Sequence, residues 1–474
     1  MTILYIIAVV IVVILMRAAV FKPKAEPETE HEAVSVDAEK SINALAELVR
    51  CKTISYTDPG LEDEAEFEKL INKLPELYPN VWAGCALTKL PGRALLFKWQ
   101  GKEPGEAAVL MAHYDVVPVE QENWQRPAFD ALIEDGVMWG RGTLDTKVTF
   151  NGIMSAADAM IKEGFQPKND VYFAFSGGEE VNGPGAKNIV EYFKDNNVAL
   201  KLVLDEGGAV VENVFPGVSK PCGLIGIAEK GLLNVEYSIS GFGGHASAPA
   251  PHTPVGKLSA ACARLENKPF KLHITRPAAE MFDTLGRHSS FLYRIIFANL
   301  WCFKPVLDLI CRKSGGEINA LLRTTVAFTQ MSGSPAPNVI PSAASMVSNL
   351  RLNPADSVDS ALQRIRATIK DESITLRPFD ATEPSPISRT DCEGWQIVSD
   401  AVAGTWPGCI VSPYLMVQCS DSRHYGPISD KVYRFSAMAL TKEERGTIHG
   451  ANERIRLENI VKATEFFTRV ISRL

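Results

Sequence analysis

Three short hydrophobic runs stand out in the first half of the chain, and polar residues follow each of them at once. The runs cover residues 107–112, 171–175 and 202–204. Short apolar runs bounded by glycine and proline are typical of strands buried on both faces of a parallel sheet. Residues 148–161 have the pattern of a helix and lie between the first two runs. The pattern predicts an α/β fold.

Acidic residues and a histidine follow the predicted strands. His113 and Asp115 come after the first run, Glu179 and Glu180 follow the second through two glycines, and Asp205 follows the third. Asp145 precedes the predicted helix. Ligands of open α/β sheets bind outside the carboxyl ends of the strands, so we expect these side chains to converge on one edge.

This combination of residues favours a pair of metal ions. Neutral imidazole and carboxylate oxygen are ligands of hydrolytic zinc, and a carboxylate commonly bridges two ions about 4 Å apart. Histidine is scarce, with eight in 474 residues, and His449 lies in a comparable glycine-flanked loop near the end. It completes a set of five ligands with His113, Asp145, Glu180 and Asp205. Nitrogen and oxygen ligands also accept manganese or cobalt.

Each feature has a simpler interpretation when taken alone. Adjacent glutamates usually lie on a solvated helix face. A histidine after a strand is more often a hydrogen-bonded structural residue than a ligand. Asp115 can simply cap a turn. The order in which the features occur together is what favours a metal site.

Six motifs in order resemble a known family. They are His113-Tyr114-Asp115, Gly140-Arg141-Gly142 with Asp145 and Lys147, Glu179-Glu180, Asp205-Glu206-Gly207-Gly208, Asn338-Val339-Ile340-Pro341 and His449-Gly450 with Asn452-Glu453. Over residues 40–474 the chain resembles the di-zinc exopeptidases and aminoacylases. Arg323-Thr324-Thr325 and Ser420-Asp421-Ser422-Arg423 resemble the carboxypeptidase S branch. That branch also contains an enzyme that makes and breaks N-fatty-acyl amino acids.

The resemblance implies a role for each candidate residue. Asp145 would bridge two zinc ions, His113 and Asp205 would complete one site, and Glu180 and His449 would complete the other. Glu179 would be the general base that activates a metal-bridging water. Asp115 would fix the imidazole of His113. The position before Glu179 is often acidic or polar in the family but is Gly178 here, and we expect metal binding to survive this difference.

The resemblance also implies a fold of two parts. A catalytic domain with a mixed, largely parallel sheet between helices would comprise residues 41–229 and 379–474. An inserted α+β lid and dimerisation domain would comprise residues 230–378, with a strand at 232–239 and a helix at 358–369. His245 of the lid would stabilise the oxyanion, commonly from the partner subunit of a homodimer, although it could be a plain turn residue. Asn338 and Arg351 would bind substrate, because guanidinium pairs bidentately with a free carboxylate.

A strongly apolar stretch covers residues 277–314. We interpret it as lid core or dimer interface. The functional alternatives are a wall for a long acyl chain and a surface that touches a membrane.

The N-terminus predicts a membrane anchor. Residues 3–16 are all apolar, and the apolar character continues past Arg17 to residue 21. This approaches the length of a membrane-spanning helix, and no convincing cleavage site follows, so a single-pass anchor is favoured over a cleaved signal peptide. No Lys or Arg precedes the run, whereas Arg17, Lys22 and Lys24 follow it, which favours a cytoplasmic enzyme. The resemblance implies a lumenal one instead, and residues 22–40 would be an acidic linker.

Composition excludes several other classes. A net charge of −7 leaves no basic footprint for nucleic acid. The nine cysteines form no Cys-x-x-Cys pair, so they indicate neither a disulfide framework nor a thiolate metal site. We therefore expect a membrane-anchored zinc hydrolase of amide bonds next to a free carboxylate, acting on small peptides or N-acyl amino acids. The alternative is a tethered binding or scaffold protein that has lost catalysis.

Overall fold

A computed structural model describes residues 1–24 and 32–474. The helices are α1 (Thr2–Val20), α2 (Ala38–Val49), α3 (Glu64–Leu77), α4 (Pro79–Gly84), α5 (Lys147–Lys162), α6 (Gly185–Asp195), α7 (Pro254–Asn267), α8 (Arg276–His288), α9 (Phe291–Phe297), α10 (Leu300–Ser314), α11 (Gly316–Leu322), α12 (Val358–Ile369), α13 (Glu393–Thr405), α14 (Lys442–Arg445) and α15 (Leu457–Ile471). The strands are β1 (Ala86–Leu90), β2 (Ala94–Trp99), β3 (Ala107–His113), β4 (Leu132–Glu134), β5 (Val137–Trp139), β6 (Val171–Ser176), β7 (Leu200–Val211), β8 (Cys222–Glu229), β9 (Gly231–Ser240), β10 (Gly244–His245), β11 (Thr325–Ser332), β12 (Val339–Ile340), β13 (Ala343–Leu352), β14 (Thr375–Thr382), β15 (Ile410–Met416), β16 (Val432–Leu440) and β17 (Arg454–Arg456).

Eight strands form the central sheet in the order β1-β2-β6-β3-β7-β16-β8-β15. The pairs β6–β3, β3–β7, β7–β16 and β8–β15 are parallel, and β1–β2 and β2–β6 are antiparallel. The predicted α/β fold with a mixed, largely parallel sheet is confirmed. The three predicted strands correspond to β3, β6 and β7, and the predicted helix corresponds to α5.

Both faces of this sheet are covered, which explains why its central strands show no polar alternation. All seven residues of β3 are buried. Leu110 packs into the cluster that contains α5 and α15, whereas its neighbour Val109 packs into the cluster that contains α6. Successive side chains of a strand point to opposite faces, so a strand between two helical layers needs apolar residues at every position.

A separate antiparallel sheet has the order β11-β13-β9-β14. Its strand β9 alternates buried and half-buried residues, as a sheet with one covered face requires. Helices α7 and α12 cover that face, and together they form a hydrophobic cluster of their own. The strand predicted at 232–239 and the helix predicted at 358–369 are confirmed.

Helices α8 to α11 do not belong to this second core. Their buried side chains, among them Met281, Phe282, Phe297 and Leu321, pack into the main cluster of the central sheet. The lid-core part of the interpretation of residues 277–314 is therefore wrong, whereas the dimer-interface part stays a prediction. Amphipathic periodicity shows that a helix has a buried face but not which core that face meets.

Helix α1 is almost entirely exposed, and Ala18 is its only buried residue. It is long and apolar enough to cross a membrane. Its last turns and Phe21 contact the folded domain, since Phe21 packs against the main hydrophobic cluster. Residues 25–31 of the predicted acidic linker lie outside the described residues.

Candidate metal centre

The predicted ligands lie where the elements of the central sheet begin and end. His113 is the last residue of β3, and Glu179 and Glu180 form a short 3₁₀ turn just after β6. Asp145 lies two residues before α5, and His449 lies in the loop between α14 and β17. Parallel strands bring the first of these side chains to one edge because their carboxyl ends coincide there.

Asp145 stands at the middle of the cluster. Its Oδ1 lies 3.0 Å from Nε2 of His113, and its Oδ2 lies 3.0 Å from Nε2 of His449. Nε2 of His449 is also 3.1 Å from Oε2 of Glu180. Each oxygen of one carboxylate therefore faces a different histidine, which is the arrangement of a carboxylate that bridges two metal ions.

Glu206, and not Asp205, faces His113. Oε1 of Glu206 lies 3.2 Å from Nε2 of His113. Oδ2 of the buried Asp205 instead accepts a hydrogen bond of 2.9 Å from the backbone N–H of Ser422. Asp205 is therefore not the acid in contact with His113. Its assignment as a metal ligand stays a prediction, and Glu206 is a second candidate for that position.

A bulge in β7 explains this difference. The register between β7 and β16 shifts between Asp205 and Gly208, so Glu206 and Gly207 have no opposite residue. Gly207 has a φ of +147°, which side chains rarely adopt. Bulges redirect side chains next to active sites. The only signal in the sequence is the glycine pair that follows Glu206, since glycine within a strand often marks a bulge.

Asp115 is completely buried and holds two parts of the site together. Its carboxylate accepts hydrogen bonds from the backbone N–H groups of Glu179 and Glu180 at 3.1 and 3.2 Å. Nδ1 of His113 lies 3.0 Å from the backbone oxygen of Asp115 and 3.4 Å from its Oδ1. Asp115 therefore positions both the imidazole and the turn that carries the two glutamates.

A buried ion pair connects the two loops that carry Asp145 and His449. Nη1 of Arg141 donates to Oε2 of Glu453 at 2.6 Å, and Nη2 of Arg141 donates to the carbonyl of Gly450 at 2.9 Å. Oε1 of Glu453 accepts a hydrogen bond from the backbone N–H of Leu144 at 2.7 Å. Sequence reasoning assigned no role to this pair, although both residues lie within its motifs.

The pKa shifts show an excess of buried negative charge. Burial raises the pKa of Glu206 to about 8, and the charge of Asp145 adds to the effect. Burial raises the pKa of Glu179 well above its usual range, with further contributions from Asp421 and Glu206. Hydrogen bonds to Asp145 and Glu180 raise the pKa of His449 to about 10. Bound cations would relieve this repulsion among the carboxylates.

The donor set fits a pair of divalent metal ions. Ligand atoms of His113, Asp145 and Glu180 all lie within 4.8 Å of one another. Oε1 of Glu180 is buried and has no hydrogen-bond partner among the described residues. A buried carboxylate oxygen without a partner is costly unless a cation binds it.

The three predicted lid residues lie outside this cluster. His245 is exposed, and its Nδ1 is 2.8 Å from Oγ of Ser247. Strand β10, which ends at His245, pairs with β12, and Asn338 immediately precedes β12. Arg351 of β13 contacts a residue of the neighbouring cavity, since its Nη1 lies 3.5 Å from Sγ of Cys419. The structure therefore places His245 and Asn338 side by side at the pairing of β10 with β12.

A cavity of about 540 Å³ opens directly on the cluster. Asp145, Glu179, Glu180, Glu206 and His449 line one part of it. Apolar and aromatic side chains form much of the rest, namely Leu144, Ala209, Val211, Val214, Leu224, Met281, Ile318, Leu321, Tyr414, Met416, Met438, Leu440 and Ile448. Polar and charged side chains also line it, namely Glu317, Gln418, Cys419, Ser436, Lys442 and Arg445. Of the described residues that line it, none comes from the sheet β11-β13-β9-β14 or from α7 and α12.

Fold and site together define a metal-dependent hydrolase. The chain belongs to peptidase family M20/M25/M40, whose profile matches residues 109–473. The resemblance to the carboxypeptidase S branch is confirmed by two relatives. The N-fatty-acyl-amino acid synthase/hydrolase PM20D1 of Xenopus tropicalis is 35% identical over 476 residues, covering 98% of this chain and 92% of the relative. The probable carboxypeptidase S-like 2 of Dictyostelium discoideum is 33% identical over 437 residues, covering 90% and 83%.

A solved structure supports the fold. The M20 family metallo-carboxypeptidase Sso-CP2 from Sulfolobus solfataricus superimposes with a TM-score of 0.68 over 92% of this chain and 99% of that one. The two sequences are 16% identical, so this similarity concerns the fold alone.

Proposed function

We propose that this protein hydrolyses the amide bond of long-chain N-acyl amino acids at a centre of two zinc ions. The apolar cavity carries the proposal, because its apolar wall begins at the metal-binding cluster. A cavity of about 540 Å³ is within the range that encloses most of a small ligand. A long acyl chain needs apolar contacts along its length, and aliphatic side chains such as Val211, Leu224 and Met438 supply much of this wall.

Five side chains would hold the two ions. Asp145 would bridge them, His113 and Glu206 would bind one, and Glu180 and His449 would bind the other. Imidazole nitrogen and carboxylate oxygen suit zinc, and manganese or cobalt would be accepted by the same ligands. Metal ions bound there would polarise the scissile carbonyl and lower the pKa of a bound water molecule.

Glu179 would act as the general base. It lines the cavity beside the cluster, and Nη1 of Arg423 lies 3.9 Å from its Oε1. From this position it would take a proton from the attacking water and return it to the leaving amine. Asp115 would keep Glu179 in place through the backbone of the turn. The same residues could catalyse the reverse condensation.

The lid would complete the site. Arg351 would bind the free carboxylate of the substrate, and its guanidinium already lies beside Cys419, a residue of the cavity wall. His245 would stabilise the oxyanion and Asn338 would bind substrate. Since both lie on the lid away from the chain's own cluster, we propose that they serve the partner subunit of a homodimer.

We further propose that α1 is a retained membrane anchor. Nε and Nη2 of Arg17 donate to the carbonyl of Ala298 at 3.1 and 3.0 Å, and Nδ2 of Asn299 donates to the carbonyl of Ile14 at 3.1 Å. Cleavage after α1 would break these contacts and uncover the surface that Ala18 occupies. These contacts favour a retained helix over a cleaved signal peptide.

A substrate panel tests the hydrolase proposal. The full chain in detergent is given N-acetyl amino acids, long-chain N-acyl amino acids and Gly-Leu, and bound zinc is counted in parallel. We expect long-chain substrates to be preferred, and Glu179→Gln to lower kcat by about 100-fold or more while both ions stay bound. Preference for Gly-Leu would make the protein a peptidase. No turnover with two ions bound would contradict the proposal.

A second variant tests the role of the cavity. Val214 lies on the cavity wall, is half-buried and is not a residue of the metal cluster. We expect Val214→Trp to lower kcat/KM for long-chain substrates by about tenfold or more and to leave N-acetyl substrates unchanged. Equal effects on both substrates would contradict an acyl-binding cavity.

A further inference from the structure

Helices α9 and α10 carry an apolar surface that faces solvent. Leu292 is 71% exposed, Trp301 is 61% exposed, and Leu309 and Ile310 are 54% and 51% exposed. Phe291, Tyr293 and Val306 are also exposed. Single exposed apolar residues are ordinary, but seven large ones on two consecutive helices mark an interaction surface.

Helix α9, which carries part of this surface, lies against the end of the proposed anchor. Besides the bonds from Arg17 and Asn299, Nη1 of Arg294 donates to the carbonyl of Phe21 at 3.4 Å. The contacts on α1 thus run from Ile14 to Phe21. At 1.5 Å per residue, seven residues span about 10 Å of helix. Helix α9 is therefore held at the depth of the last two turns of α1.

The depth of α9 indicates the partner. If α1 crosses a membrane, its last two turns lie in the outermost part of the hydrocarbon region and the headgroup layer. Amphipathic helices that lie on membranes bury their apolar face about 5–10 Å deep at this boundary. Basic groups gather at the same level, because Arg287 stacks on Phe21 at 4.6 Å and donates to the carbonyl of Lys22 at 3.2 Å.

Charges on the two helices are compatible with this position. Asp308 is the only acidic residue in α9 and α10, and it pairs with Arg312 at 2.8 Å and with Arg323 at 2.6 Å. Lys304 is exposed, and lysine can extend its ammonium group to the headgroups while its stem stays apolar. No uncompensated carboxylate of these helices would have to enter the membrane.

We propose that α9 and α10 insert into one leaflet of the membrane beside α1 and hold the catalytic domain on the lipid surface. The occupant of this surface is the lipid bilayer. The two helices connect α8 and α11, whose residues Met281 and Leu321 line the cavity, and Phe282 packs on Phe297 of α9 with ring centroids 5.6 Å apart. The membrane would therefore lie close to the acyl-binding cavity.

Depth-dependent quenching tests this placement without any need for activity. The full chain is reconstituted in phosphatidylcholine and phosphatidylglycerol vesicles, and a fluorophore is attached to Leu292→Cys or Leu309→Cys. Phe242→Cys, at a lid residue that is 99% exposed, is the matched control, and Val10→Cys reports α1. Labelling of native cysteines is subtracted with the wild-type chain.

We expect nitroxide lipids to quench the labels at residues 10, 292 and 309, with no quenching at residue 242. Lipid quenching at residue 10 together with water exposure at residues 292 and 309 would overturn the proposal. In that case α1 alone would attach the protein to the membrane. Water exposure at all four positions would overturn it as well. Neither result depends on whether the protein hydrolyses N-acyl amino acids.

A kinetic test addresses the consequence for substrate, which rests on the proposed function. Leu292→Gln with Leu309→Gln should raise KM about tenfold for a long-chain substrate dissolved in the vesicles and leave KM for a soluble N-acetyl amino acid unchanged. Unchanged KM for both substrates would overturn delivery from the membrane. If the wild-type protein hydrolyses neither substrate, the hydrolase proposal is refuted instead.

Discussion

The choice between Asp205 and Glu206 as a metal ligand can be tested directly. We compare Glu206→Gln with Asp205→Asn, because each change removes one charge and preserves the shape of the side chain. Glu206 lies 3.2 Å from His113, whereas Asp205 bonds to the backbone of Ser422. The two variants should therefore differ sharply in metal binding.

The expected magnitudes follow from these contacts. Residues that only support metal ligands typically contribute about 10–100-fold in affinity, so loss of a direct ligand should exceed about 100-fold, or about 2.8 kcal/mol. Glu206→Gln should thus weaken one of the two sites by more than this. Asn at position 205 keeps an oxygen for the N–H of Ser422 and loses only the charge assistance, so we expect about tenfold or less.

Metal content and affinity provide the assay. Each variant is dialysed against a competing chelator, and zinc per subunit is measured by mass spectrometry. We expect two ions in the wild type and in Asp205→Asn, and one ion in Glu206→Gln. The opposite pattern, in which Asp205→Asn loses an ion and Glu206→Gln keeps both, would refute the assignment. Circular dichroism of both variants checks that the fold is intact.

Two further predictions concern stability and protons. Glu453→Gln leaves Arg141 charged and buried without its partner, so the free energy of unfolding in urea should fall by about 3–5 kcal/mol. The same change at exposed Glu443 should cost under about 1 kcal/mol, and equal losses would contradict the role of the buried pair. The pKa of His449 is raised to about 10, so its imidazole is protonated at pH 7.5 and must lose a proton to bind zinc. Zinc affinity should therefore fall as pH falls, and calorimetry in buffers of different ionisation enthalpy should detect proton release that decreases by about one in His449→Ala. No net release would contradict this prediction.

Much of the central fold could be predicted from the chain itself. Strands β3 and β6 are buried at every position and almost entirely apolar because helices cover both faces of the sheet, and this leaves a clear signature. The ends of such strands must share one edge, so His113 and the turn with Glu180 could be brought together in advance. His449 was placed by its loop and by the scarcity of histidine, and the structure puts it 3.0 Å from Asp145.

Other features depend on contacts that a linear pattern does not encode. The bulge in β7 decides between two adjacent acids, because it breaks the alternation that would otherwise assign their faces. The periodicity of α8 showed a buried face, but only packing showed that Met281 and Phe282 join the core of the central sheet. The positions of His245 and Asn338 likewise depend on the pairing of β10 with β12.

Residue patterns alone predicted the class of fold, four of the residues that meet at the metal centre and an apolar N-terminal helix. Local patterns suffice for these features because strand burial and helix hydrophobicity depend on the types of neighbouring residues. Only the folded arrangement shows which acid faces His113, which core receives α8 to α11, and that α1 is held by α9. These depend on close packing between segments far apart in the chain, such as Arg17 and Ala298, which no local pattern specifies.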